Sequence, residues 1–144
     1  MTAVPLGRAE IEAILPHRPP FLLLDEVLEL EPGARVVARK TVREEDCAGH
    51  FPGNPIMPGV LQLEAMAQVA SIVLLRMPGN QGKIGYFMSA NDVKFRKPVL
   101  PGDMLFIEAE ILRVKRSIGQ ARCRCTVNGE TVSEGELMFS LMDR

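Results

Sequence analysis

The chain has 144 residues, 47% of them hydrophobic and 24% charged, with a formal net charge of −1. That length suits about one domain with a real core, and the apolar share excludes a disordered chain. The balanced charge argues against a dedicated nucleic-acid binder, and no apolar run reaches the length of a membrane span.

Residues 7–15, GRAEIEAIL, predict a short helix that stops before Pro16 and the Pro19–Pro20 pair. Residues 21–31, FLLLDEVLELE, begin strongly apolar and then alternate, which predicts a strand closed by a Pro32–Gly33 turn. Residues 34–42 alternate as a second strand, hairpinned to the first. A loop rich in glycine and proline follows, EEDCAGHFPGNPIMPG.

Residues 60–75, VLQLEAMAQVASIVLL, contain no Gly or Pro and predict a helix roughly 24 Å long. Apolar residues lie on all its sides, interrupted at Gln62, Glu64, Gln68 and Ser71, so it reads as a buried helix. Strands are expected at 83–95, 103–115, 118–127 and 131–142. Asn128–Gly129 is a two-residue hairpin signal, and Gly135 breaks the last strand's alternation as an expected bulge. The sum is an α+β chain, read as one domain over 1–144. A curved, mostly antiparallel sheet of about six strands would wrap one long central helix, and self-association is expected to cover what remains apolar.

Cys47, Cys123 and Cys125 form an odd set without framework or zinc spacing and read as core thiols, the last two sharing a strand face. The stretch MTAVPLGRAEIEAIL has no basic region followed by an apolar one. A cytoplasmic protein is expected. Residues 81–127 carry nine Lys and Arg against four Asp and Glu, either a basic patch for an acidic partner or a solvated strand surface.

His50 and Glu64 carry the candidate chemistry. His50 sits among Gly49, Pro52, Gly53, Pro55, Pro58 and Gly59, residues that stiffen a loop and hold side chains in one geometry. A purely architectural loop would need the same rigidity. Glu64 is a carboxylate on an oily helix, where an unpaired buried charge costs several kcal/mol. It either reaches solvent or an arginine, or borders a pocket, with Gln68 one turn on able to hold it. The free N–H groups at the helix start, near Gly59, could bind a developing oxyanion. Base, acid and donors together suit proton abstraction beside a carbonyl and loss of a β-hydroxyl. His17, in PHRPP, reads as a structural anchor for the first strand.

The stretches LPHRPPFLLLDEV, GHFPGNPIMPGVLQLEAMAQ and KFRKPVLPGD, in that order, resemble the β-hydroxyacyl-acyl-carrier-protein dehydratases of dissociated fatty-acid synthesis. The resemblance covers nearly the whole chain. It implies a hotdog fold, with the sheet wrapped around residues 60–75. Two subunits would join their sheets, and three such dimers would form a hexamer. The active site would lie in a tunnel between subunits, His50 from one facing Glu64 from the other. His50 would take the C2 proton, Glu64 would protonate the leaving hydroxyl, and the Gly59 N–H would bind the thioester oxygen.

By the same resemblance Phe51, Pro58 and Gln68 would line the substrate's path. Lys94, Arg96 and Lys97 belong to the local basic excess, which would receive the acidic acyl carrier protein or is plain solvated surface. The family needs no cofactor or metal, and neither nucleic-acid binding nor membrane insertion is implied. Such enzymes serve fatty-acid and lipid A synthesis. The dehydratase–isomerase relative carries Asp at the acid position, so Glu64 implies dehydration without isomerisation. Rival readings are a hotdog acyl-coenzyme A thioesterase, an enoyl-coenzyme A hydratase and a non-catalytic acyl-binding module.

Overall fold

A computed structural model describes residues 4–144; the first three residues, part of the N-terminal stretch read for a leader, lie outside the described residues. The elements are α1 (Arg8–Ile14), β1 (Glu26–Glu31), β2 (Arg35–Thr41), α2 (Gly59–Leu75), β3 (Lys83–Phe95), β4 (Met104–Lys115), β5 (Ile118–Val127) and β6 (Glu130–Asp143). A 3-10 turn, Glu44–Cys47, precedes the proline-rich loop.

The strands form one antiparallel sheet in the order β1-β2-β4-β5-β6-β3. Alternate residues explain which face it buries. Val36 and Ala38 of β2, Leu105 and Ile107 of β4, Cys123 and Cys125 of β5, and Leu137 and Phe139 of β6 are all buried. This face closes on α2, which packs against β2 through β6. Ile72 and Leu74 are fully buried there, each contributing roughly 2 kcal/mol. The opposite face is charged: Arg122 pairs with Glu136 at 3.0 Å, and Arg124 pairs with Glu108. The curved sheet around one long helix is the hotdog fold expected from the sequence.

The first strand is shorter than its sequence suggests. β1 starts at Glu26, and the Asp25 N–H still reaches the Arg39 carbonyl of β2, but the N–H groups of residues 21–23 are spent elsewhere. Phe21 and Leu22 donate to the Arg18 carbonyl, and Leu23 donates to the Gln68 side chain. Leu22, Leu23 and Leu24 are core residues without being strand residues.

The expected bulge belongs to a different strand. Gly135 pairs in register with Cys123, while Asp92 and Val93 of β3 stand together against it. Asp92 has φ 52°, and Val93 Cγ2 would lie 3.1 Å from a Cβ at Gly135. The glycine makes room for its neighbour's bulge. Asn128 and Gly129 both adopt positive φ, 51° and 79°, as a two-residue hairpin turn requires.

Candidate active site

The loop holding His50 is fixed from both sides. The Lys40 ammonium of β2 lies 3.0 Å from the Asp46 carboxylate in the 3-10 turn, and both side chains are largely buried. Asp46 also accepts from the Arg43 N–H at 2.8 Å. Beyond the turn, His50 N–H donates to Cys47 O, Ile56 N–H to His50 O, and Met57 N–H to Val99 O.

The imidazole's orientation follows from one contact. His50 Nδ1 lies 3.0 Å from the Ile56 carbonyl oxygen. A carbonyl only accepts, so Nδ1 carries the proton and Nε2 keeps its lone pair. Phe51 stacks on the ring with centroids 4.2 Å apart and 27° between planes. His50 lines a cavity of about 440 Å³ with Met57, Gly59, Gln62, Phe95 and Lys97. Gly59 opens α2, and its N–H has no acceptor among the described residues. A Cβ on Gly59 would sit 2.7 Å from the Phe95 ring, so only glycine lets that N–H reach the cavity wall. Pro58 precedes it, its carbonyl accepting from Leu61 and Gln62.

Glu64 faces a second cavity, of about 260 Å³, lined by His17, Phe21, Ser71, Tyr86, Phe87 and Phe139 among others. Gln68 Nε2 donates to Glu64 Oε2 at 3.0 Å and to the Phe21 carbonyl at 2.9 Å, while Gln68 Oε1 accepts from the Leu23 N–H at 2.9 Å. The helical spacing thus delivers the expected partner for Glu64. Every polar atom of Gln68 is spent on protein, so it holds Glu64 from behind rather than touching the cavity. Phe51 and Pro58 likewise stand outside both linings and shape the His50 loop and the helix start.

The structure does not bring His50 and Glu64 together within one protomer. It brings each to a separate cavity, and both cavities abut β3: the His50 cavity at Phe95, the Glu64 cavity at Tyr86 and Phe87. Arg96 and Lys97 do stand at the His50 cavity, but already paired. Arg96 meets Glu134 at 3.0 Å and Lys97 meets Glu130, leaving Lys94 the one of the three without an ion pair among the described residues.

His17 is the residue whose place the sequence did not reveal. Its Nε2 lies 3.6 Å from Glu64 Oε2. Contact between residues 17 and 64 comes from the fold, and its one sequence signal was a histidine caught between prolines. The three cysteines are free and buried, and burial pushes the Cys125 thiol up to about 12. No cluster of potential metal ligands occurs among the described residues.

Residues 15–136 match the FabA-like domain, and the chain belongs to that family. Its relatives narrow the placement. The 3-hydroxyacyl-acyl-carrier-protein dehydratase FabZ of Roseiflexus castenholzii is 52% identical over 138 residues, covering 94% of this chain and 96% of the relative. That of Geobacillus thermodenitrificans is 51% identical, covering 94% of each. Within the family the chain stands with these FabZ dehydratases, which are hydro-lyases. Among solved structures, the dehydratase heterocomplex ApeI:P from Xenorhabdus doucetiae superposes with a TM-score of 0.81 at 18% identity, over 99% of this chain and 94% of that one. A hypothetical thioesterase with coenzyme A from Streptococcus pneumoniae reaches 0.65 at 14% identity, over 82% and 85%. At those identities the likeness is one of fold.

Proposed function

We propose that this dehydratase removes water from a (3R)-3-hydroxyacyl chain on acyl carrier protein through a site shared by two copies of the chain. One observation carries the reading: base and acid line different cavities, at opposite ends of the same edge strand. β3 spans thirteen residues at the sheet's edge and exposes Tyr86, Phe87, Met88 and Phe95. Such an edge is a template for pairing. Two-fold antiparallel pairing of β3 with its copy sets the Phe95 end of one strand beside the Tyr86 end of the other. The His50 cavity of one subunit then meets the Glu64 cavity of the other.

In that site His50 Nε2 takes the C2 proton. The electron pair moves to the thioester oxygen, which the Gly59 N–H stabilises. The enolate then expels the C3 hydroxyl, which leaves as water with the proton of Glu64, giving the trans-2-enoyl thioester. No cofactor enters these steps. The acid is Glu64, so isomerisation of the double bond is not expected. Phe51, Pro58 and Gln68 act by holding this machinery in place. Lys94, Arg96 and Lys97, at or near the His50 cavity mouth, receive the acidic carrier protein. The 1–144 unit acts as one domain, in dimers that assemble in threes. Three free buried thiols suit the reducing cytoplasm.

The test follows the mass of the acyl group on (3R)-3-hydroxyacyl-acyl-carrier protein, with the coenzyme A thioester and His50→Ala alongside. Loss of one water, abolished in the variant, is the expected result. Free acid would indicate a thioesterase, preference for the coenzyme A thioester a hydratase, and no change a binding module. Each of those outcomes overturns the proposal.

A further inference from the structure

His17 follows α1 and takes no part in the steps above, yet it lies against the acid. Its ring is parallel to that of Phe21, with 10° between planes and centroids 6.1 Å apart. Its Nδ1 is buried without a hydrogen-bond partner among the described residues, and its Nε2 faces Glu64 Oε2 at 3.6 Å. Burial lowers its pKa below the ordinary 6.5; the Glu64 charge pulls the other way, and Arg18 adds to the lowering. At neutral pH the ring is uncharged.

A neutral imidazole has one N–H to place. On Nδ1 it would be a buried donor without an acceptor, the costlier of the two tautomers. On Nε2 it points at Glu64 Oε2, the oxygen that already accepts from Gln68 at 3.0 Å. Gln68 already marks Oε2 as an accepting oxygen, and a second donor aimed at the same atom leaves Oε1 as the oxygen free to carry and release a proton.

We propose that His17 is a positioning residue for the acid: its Nε2–H, beside Gln68, keeps Oε2 of Glu64 as the accepting oxygen, so that the transferable proton stands on Oε1, and steadies the carboxylate that remains after transfer. The inference rests on the reading of Glu64 as the acid. At 3.6 Å the contact is longer than a hydrogen bond, and catalytic contacts of this kind tighten when substrate fills the cavity. Few other groups compete for control of this carboxyl. Arg18 is turned to Glu12 of α1 at 3.3 Å, and β3 contributes Tyr86. Ser71 of α2 and Phe139 of β6 carry no charge. In the proposed shared site the partner's His50 stands opposite, together with the partner's Arg96 and the partner's Lys97, which are held in ion pairs of their own.

The experiment compares His17→Phe, His17→Gln and Glu64→Gln in the full-length enzyme on the carrier-protein substrate, measuring kcat, KM and the pH dependence of kcat. His17→Phe keeps a ring against Phe21 and removes both nitrogens. It should lower kcat about tenfold or more with KM little changed, as expected for a lost hydrogen bond to a charged group. The alkaline limb of the profile should move upward, because a carboxylate deprived of a donor keeps its proton to higher pH. His17→Gln, which retains a donor, should recover part of both. A wild-type kcat and profile in His17→Phe, or a lower melting temperature with an unmoved limb, overturns the proposal. If His17→Phe does not fold, His17→Gln is set against the shorter His17→Asn, and identical profiles overturn it. An inactive Glu64→Gln with normal His17 variants removes only His17's role; an active Glu64→Gln removes the reading beneath it.

Discussion

At the residue scale, the proposed chemistry depends on hydrogen bonds that fix protons in place. The Ile56 carbonyl holds the proton on His50 Nδ1, and Gln68 holds the Glu64 carboxyl. Gln68→Leu removes three contacts and strands the Leu23 N–H, which should cost about 1–3 kcal/mol of stability, read by denaturant unfolding, together with lower kcat. His17 adds a pH effect whose sign follows from its lowered pKa. As pH falls below about 6.5 the unfolded chain binds a proton that the folded chain resists. This stabilising contribution is therefore complete above that pH and declines below it, flattening once the folded-state pKa is passed. Melting temperatures of wild type and His17→Phe between pH 5 and 8 should diverge in slope on the acid side; parallel curves would count against it. His50, Glu64 and Gln68 were legible in the sequence because a stiff loop and an i, i+4 spacing are local features. His17 was not, because its partner is 47 residues away.

At the scale of elements, α2 and the last four strands were legible from periodicity, and the helix begins one residue earlier than expected, at Gly59. The misplaced features have a common cause. β1 lacks its expected first residues, whose N–H groups go to the Arg18 carbonyl and, from Leu23, to the side chain of Gln68, and the break near Gly135 belongs to β3 across the ladder. Both depend on a neighbour that one strand's own sequence does not name. Two substitutions test how the elements hold the site. Gly59→Ala brings a methyl to 2.7 Å from the Phe95 ring, at the start of the helix. It should reduce kcat far more than it lowers the melting temperature. Lys40→Ala leaves Asp46 buried without its cation, which should destabilise by about 3–5 kcal/mol in denaturant unfolding.

At the scale of the whole molecule, the proposed site takes its second half from a second copy paired along the edge strand β3. Met88→Lys, at the exposed middle of β3, should shift the protein toward monomers in sedimentation and remove activity in parallel. The proposed carrier-protein surface separates from this by kinetics: Lys94→Glu should raise KM for the carrier-protein substrate and leave kcat nearly unchanged, with the effect fading in high salt. The shared site itself is tested most directly by mixing two inactive proteins. His50→Ala and Glu64→Gln, each down at least a hundredfold alone, are unfolded together and refolded as mixed dimers. If base and acid come from different subunits, each mixed dimer holds one intact site, and random pairing restores about a quarter of wild-type activity. No recovery from verified mixed dimers would mean that base and acid do not meet across the interface.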